Sequence, residues 1–454
     1  MHKKTALWAA LAAVLMGAQG AQGVQAAVSA DEAAALGKTL NPLGGEMAGN
    51  ADGSIPAWTG KQGVDGSVAK VGDIPTKLFA NEKPLVQITA QNMAQYADKL
   101  SEGTQALLKK YPDSFRVDVY PTHRTGVAPQ YVYDNTAKNA TSCQTKDNGM
   151  SMVGCYGGIP FPIPKTGVEV AWNHLLRVEN ESTELASFKN IVLTADGSRT
   201  LATMNDQSNQ YPYYYKDGSV DNWSGEYWLQ RFSTIAPPFK AGESLVFRDS
   251  IDVKQSRQAW QYLVGQRRVR RAPTVAYDTP DFVASGANYF DEVQGLIGHI
   301  DRFDWKLVGK KELYVPYNAN EVVTASLDEA YGKHHLNPDK VRWELHRVWE
   351  VEATVASGKR HAVAKRKYYF DEDSWMILLL DGYDSEGKLW RTTQVTPFVL
   401  PSTPMLGLKP AHIFNLQANT MSTTQSLNEA TYRVVERKPE MHWTGDAVAA
   451  DGVR

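Results

Sequence analysis

The 454-residue chain carries only two cysteines, Cys143 and Cys155, and no excess of charge of either sign. Its 48 Lys and Arg stand against 50 Asp and Glu, a formal net charge of −2. A balanced chain lacks the long-range attraction that nucleic-acid binding rests on, so no nucleic-acid partner is expected. Long hydrophobic runs are scarce as well. The one at residues 7–16 is too short to span a bilayer, which excludes a multi-span membrane protein. The common catalytic signatures are missing: there is no Gly-x-Ser-x-Gly elbow, no His-Glu-x-x-His, no phosphate loop ending in Gly-Lys-Ser/Thr and no Gly-x-Gly-x-x-Gly. No enzyme activity, catalytic residue, metal or cofactor is therefore expected. Aromatic residues, by contrast, are plentiful: 12 Trp, 21 Tyr and 13 Phe.

Residues 1–26 read as a secretory signal. Lys3 and Lys4 give the positive start, residues 7–16 the apolar stretch, and Val24, Gln25 and Ala26 the small-residue pattern before cleavage. Cleavage near Ala26 leaves a soluble, exported chain starting at Ala27, and losing Lys3 and Lys4 takes the net charge from −2 to −4. An uncleaved N-terminal anchor is the rival reading. In an oxidising compartment an even cysteine count reads as one disulfide, Cys143 to Cys155, closing a short loop through Asn148, Gly149 and Gly154. The spacing is not the Cys-x-x-Cys of a redox pair, and a metal site would need more soft ligands nearby.

Residues 27–85, rich in Gly, Ala, Asn and Pro, read as a short helix and an extended arm. Ser29 and Glu32 form a capping box for a helix to about Lys38, and Asn41-Pro42 and Gly44-Gly45 break any regular structure after it. A helix is predicted over 90–110, ended by Pro112. Residues 86–454 read as one β-rich domain. Over 342–353, Trp343, Leu345, Arg347, Trp349 and Val351 alternate with Arg342, Glu344, His346, Val348 and Glu350. This is the period-two pattern of an antiparallel strand with one apolar face and one wet face. Turn signals at Ser357-Gly358, 371–373 and 385–387 then separate strands at 359–370, 375–383 and 389–391 into a meander. Further strands are expected at 259–271 and 305–316, and helices at 167–175 and 224–235, the latter closed by Pro237-Pro238.

Three constellations carry candidate chemistry. Four arginines come after Gln266, namely Arg267, Arg268, Arg270 and Arg271. Arg268 and Arg270 would grip an anionic head group by bidentate hydrogen bonds, or simply face solvent while the others pair with acids. His174, in Trp172-Asn173-His174, and His346 are the histidines a hydrolase would use as base, though a structural role serves equally. The aromatic stripes, Trp260, Tyr262, Trp305, Trp343, Trp349 and Trp375 with Leu345, either fill a core or line a hydrophobic cavity if the sheet curls.

Several blocks taken together closely resemble a bacterial family, domain of unknown function 1329, over roughly residues 35–435. They are Gly157-Gly158-Ile159-Pro160-Phe161-Pro162 leading to Trp172-Asn173-His174; Asp304-Trp305-Lys306 through Glu312 with Pro316-Tyr317-Asn318; Arg342-Trp343-Glu344-Leu345-His346-Arg347-Val348-Trp349; and Asp371-Glu372-Asp373-Ser374-Trp375. The resemblance implies an α+β fold similar to the LolA/LolB lipoprotein carriers, a large curved antiparallel half-barrel closed by helices over a hydrophobic cavity. It also implies a periplasmic protein working beside a resistance-nodulation-division type transporter and an outer-membrane protein. With that fold the cavity reading of the aromatic stripes gains over the core reading, by analogy alone. The expected function is a carrier or chaperone of a lipid or other hydrophobic molecule. The rivals are an adaptor that scaffolds a transport complex through the N-terminal arm, and a lipid-ester hydrolase.

Overall fold

A computed structural model of the chain describes residues 28–64, 70–273 and 275–451; residues 1–26, read above as a secretory signal, lie outside them. Its frame is one sixteen-stranded sheet, mostly antiparallel and not closed on itself, with helices packed against it. Two meanders build the sheet. The first runs through Ser182–Leu193, Arg199–Gln210, Glu226–Ala236, Ser244–Ser250, Gln258–Leu263 and Arg268–Arg271. The second runs through Phe303–Pro316, Trp343–Val355, Lys365–Asp371, Ile377–Tyr383, Leu389–Val395, Ala411–Asn415 and Thr420–Ser426. The last strand of the second meander pairs with the first strand of the first, Ser422 opposite Val192, and so makes one sheet of the two. The short strand Val117–Val119 adds a parallel contact, Val119 opposite Trp343.

The expected meander after residue 342 is present with its turns where glycine permits them, at Gly358 and Gly387, both with φ near 75°. The helix Gly167–Leu175 also forms, with Thr166 and Glu169 as a capping box. Four assignments of helix and strand need correction. Residues 224–235 are not a helix: Glu226–Ala236 is a strand paired on both sides. Tyr227, Trp228, Phe232, Thr234 and Ile235 favour a pleated surface, and Pro237-Pro238 ends a strand as readily as a helix. The helix over 90–110 splits into a 3-10 segment, Met93–Lys99, and an α-helix, Glu102–Lys110, because Ser101 turns extended and caps the second from its hydroxyl. The capping box at Ser29 forms, yet only Ala30–Ala33 is helical. The single strand over 259–271 is a hairpin, turned at Val264–Gln266 with Arg267 left-handed at φ 48°.

Cys143 and Cys155 are joined, their Cα atoms 4.8 Å apart. The bond staples the base of a small hairpin, Gln144–Lys146 with Ser151–Val153, which turns through Asp147, Asn148 and Gly149, all at positive φ.

From Trp343 to Val351 the strand Trp343–Val355 has no wet face. Glu344, His346 and Glu350 are as buried as Trp343 and Leu345. Glu344 accepts from the His123 amide at 2.8 Å and from Asn318 Nδ2 at 2.9 Å, and Lys311 pairs with Glu350 at 2.6 Å. On the other face Arg347 reaches Glu372 at 2.6 Å and the Ala48 carbonyl at 2.6 Å. The N-terminal arm covers that face. Arg124 clamps it, bonding both oxygens of Asp373 at 2.6 and 2.8 Å, Glu372 at 3.2 Å and the Glu46 carbonyl at 2.7 Å. Arg124, Arg347 and Glu344 can be buried here because each meets an opposite charge and further hydrogen-bond partners.

A second polar contact docks the helix Glu102–Lys110. The Gly103 amide donates to Asp381 Oδ2 at 3.1 Å, and Thr392 Oγ1 donates to Oδ1 at 2.8 Å. Residue 103 must be glycine, since a Cβ there would lie 2.0 Å from Thr392 Oγ1 and 2.1 Å from Asp381 Oδ1. Burial outweighs these hydrogen bonds and pushes the Asp381 carboxyl up to about 6.

Both burials have measurable consequences. Arg124→Met leaves Asp373 without a cation in the interior, while Glu372 keeps Arg347 and Lys310, and it lowers the urea unfolding free energy by about 3–5 kcal/mol; a loss below about 1 kcal/mol would mean that Arg124 does not hold the arm. For Asp381 the folded chain keeps a proton that the unfolded chain releases near pH 4. Its contribution to stability is therefore full below pH 4 and is lost as pH rises to about 6. Asp381→Asn should flatten that part of the stability profile, measured by thermal unfolding from pH 4 to 7; an unchanged slope would assign it to other groups.

Candidate functional site

The hairpin Gln258–Leu263 with Arg268–Arg271 divides the expected ligand residues between two faces. Antiparallel partners share a face, so Trp260 opposite Arg271 and Tyr262 opposite Val269 lie on one side. Gln261 opposite Arg270 and Leu263 opposite Arg268 lie on the other. The first side is covered by the C-terminal helix Gly445–Asp451. Tyr262 packs with Leu229, Val246, Trp443 and Val448 in a cluster of its own, and Trp260 borders it. A Cβ at Gly445 would lie 2.5 Å from the Trp260 ring, so the helix approaches as closely as glycine allows. Arg271 reaches over Trp260, 5.6 Å from the ring centroid.

The second side opens into a pocket of about 410 Å³, within the range typical of small-molecule sites, ~300–1,000 Å³. Lys240 and Arg270 bring positive charge to its lining, where Arg271, its guanidinium turned to the other face over Trp260, only borders it, and Leu263, Phe282 and Phe290 bring apolar surface. Several devices fix this arrangement. Arg270 donates to Gln261 Oε1 at 3.3 Å, across the hairpin. Lys240, delivered by the turn after Pro237-Pro238, donates to the Phe282 carbonyl at 3.1 Å and to Ser285 Oγ at 3.4 Å. Asp281 caps the turn Phe282–Ala284, accepting from the Val283 amide at 2.9 Å and from Asn288 at 3.2 Å. Burial pushes the Asp281 carboxyl up to about 6. Phe282 and Phe290 meet with ring centroids 5.5 Å apart. The one acid in the lining, Glu243, is pushed up by burial against the pull of Lys240. Two cations beside an aromatic floor suit an amphiphile with a negative head.

Of the residues expected to hold a ligand, this lining contains Arg270 alone; Arg268 sits on the same face, exposed. The other aromatics lie on the second meander. Trp343 and Leu345 are buried, and Trp349 stacks on the buried Trp375 at 6.3 Å. Trp305 stacks on Tyr368 at 5.3 Å. Trp375 also donates to the Leu43 carbonyl of the arm at 2.8 Å, and Lys310 stands 4.8 Å above the Trp349 ring. These residues pack against one another and against the arm. Lys240, Phe282 and Phe290 carry no local signal in the sequence, because they come to the pocket from loops and 3-10 turns.

The two histidines are held in structural settings. His174 is fully buried, and its Nδ1 lies 3.2 Å from the Ile377 amide, which donates to it. Burial, with Arg177 second, holds its imidazole well below the usual value. His346 meets Glu344 through Nε2 at 3.0 Å and stacks on Tyr317 at 3.8 Å. Neither lines the pocket.

A family model described as "Protein of unknown function (DUF1329)" matches residues 87–449. An uncharacterized protein of Pseudomonas aeruginosa is 42% identical over 377 residues, 81% of this chain and 81% of that protein. Among solved structures, a DUF1329 family protein from Desulfovibrio piger shares 12% identity at a TM-score of 0.40, covering 59% of this chain and 92% of that one. A LolA superfamily protein from Nitrosomonas europaea shares 10% identity at a TM-score of 0.35, covering 63% of this chain and 100% of that one. Among the described residues no helix is long and apolar enough to cross a membrane.

Proposed function

The chain belongs to the DUF1329 family, and we propose that it is a periplasmic carrier of a lipid or other hydrophobic molecule with an anionic head. The observation that carries this reading is the pocket where Lys240 and Arg270 meet Leu263, Phe282 and Phe290. Arg270 and its neighbours bind the head group by charge-assisted hydrogen bonds. The phenylalanines take the first part of the apolar tail, each buried methylene contributing about 0.8 kcal/mol. Nothing in this arrangement asks for a nucleophile, so the role is binding and delivery and not hydrolysis. The signal-like segment 1–26 supports export, and the partners in this reading are an exporter of the resistance-nodulation-division type in the inner membrane and an acceptor in the outer membrane.

The adaptor reading draws on a different feature. Phe239, next in the chain to Lys240 of the pocket lining, is a large apolar side chain left 76% exposed by the described residues. In a carrier the same residue serves the handover to an acceptor.

Titration of the purified chain with a fluorescent long-chain fatty acid tests the proposal. Arg270→Glu should weaken binding at least ~10-fold, about 1.4 kcal/mol or more. Arg267→Glu, on the exposed turn of the same hairpin, should leave binding unchanged. Equal losses in both variants would reduce the effect to general charge, and absence of binding to the native chain would remove the carrier reading.

A further inference from the structure

The second meander holds an imbalance that the carrier reading does not use. Five carboxylates, Glu46, Glu344, Asp371, Glu372 and Asp373, crowd into one region with four permanent cations, Arg124, Lys310, Arg342 and Arg347. Every carboxylate but one has an arginine or lysine nitrogen within 4.0 Å. The exception, among the described residues, is Asp371.

Asp371 is wholly buried and lopsided. Its Oδ2 accepts three hydrogen bonds, from the Tyr317 hydroxyl at 2.9 Å and from the Ser374 hydroxyl and amide at 2.5 and 3.0 Å. Its Oδ1 accepts none. A buried carboxylate oxygen without a donor is costly unless something positive stands against it. What faces it is His346 Nδ1, 3.9 Å away, beyond hydrogen-bonding distance. The other ring nitrogen of His346, Nε2, donates to Glu344 Oε2 at 3.0 Å, which leaves Nδ1 as the ring nitrogen on the side of Asp371. A carboxylate behind one nitrogen of a histidine is the arrangement that orients metal-ligating imidazoles. A third donor is close by: one carboxylate oxygen of Asp373 lies within 4.8 Å of both His346 and Asp371, and all three residues are buried.

We propose that His346 Nδ1, Asp371 Oδ1 and Asp373 form a buried site for one divalent first-row transition ion. One imidazole with two carboxylates suits zinc or manganese; calcium and magnesium favour all-oxygen shells. The donors stand somewhat wider than in a filled shell, where bonds of about 2.0–2.2 Å apply, so they close by less than an ångström each on binding. Asp373 keeps its Arg124 contacts and lends a remaining lone pair. The ion offsets the unpaired charge of Asp371 and ties the turn at 371–375 to the strand Trp343–Val355. Because Asn41 also bonds Asp373, at 2.7 Å, the N-terminal arm is held to the same point. The site is structural, and it stands or falls apart from the ligand pocket on the first meander.

The test uses the full mature chain purified without chelator. Elemental analysis should find close to one zinc or manganese per chain. After dialysis against EDTA, adding back zinc or manganese chloride should raise the thermal midpoint by several degrees. Asp371→Asn and His346→Gln should each abolish both the uptake and the shift while the circular dichroism of the native fold persists. Should either variant fail to fold, cobalt(II) added to the chelated native chain supplies an independent reading, because nitrogen and oxygen ligation in a closed site gives a visible absorption band that zinc then displaces. A native chain that takes up no metal, shows no shift with millimolar salt and gives no cobalt band overturns the proposal. So does a shift that survives in folded Asp371→Asn.

Discussion

Much of this molecule hangs on the guanidinium of Arg124. It sits between the arm and the sheet, and in one place it satisfies Asp373, Glu372 and the backbone carbonyls of Glu46, Ala48 and Pro56. Arg347 and Lys310 repeat the pattern from neighbouring strands. A planar donor with five N–H groups can do this where a lysine could not. The result is a sheet face buried under polar chain, with segments that are almost all loop fixed as firmly as a packed helix. That face holds Arg347 and Trp349 side by side, and it explains how a strand rich in charge becomes interior.

Residues far apart in sequence decided what the sequence alone could not. Strand positions from 343 onward were legible because alternation and turn residues are local properties, and Gly358 and Gly387 mark the corners. What alternation cannot report is the covering of the second face. Glu344 and His346 read as wet because nothing within a few residues of them supplies a lid; His123, Asn318 and Tyr317 do. The stretch 224–235 misled for the related reason that apolar residues in a short window fit a strand and a helix equally, and only pairing with Arg199–Gln210 and Ser244–Ser250 chose between them.

The candidate pocket was half legible. Arg270 stood out as part of a basic run, but the hairpin turn at Arg267 had no strong marker, and without it the faces of 259–271 are assigned wrongly. Placing the turn at Val264–Gln266 sends Trp260 and Tyr262 to the C-terminal helix and Arg270 to the pocket. The pocket's floor arrives through Phe282 and Phe290, whose neighbourhood with Arg270 depends on loops folding back across the sheet. An aromatic count predicts that rings will be buried. It does not say which of them will border a void.

The seam between the meanders has a consequence for the order in which the protein is made. The strand Ser182–Leu193 has an outer neighbour from late in the chain, Thr420–Ser426 opposite Lys189 to Leu193 and then Thr431–Val434 opposite Thr183 to Ala186. As the chain emerges, the first meander is complete long before that neighbour exists. Until then it presents an open edge, a row of unpaired amides and carbonyls able to recruit a strand from another molecule. Such long-range pairing is also slow to form. A chain delivered start-first across a membrane therefore has an interval of exposure that ends only when its last strands arrive, and truncation anywhere before residue 420 makes that interval permanent.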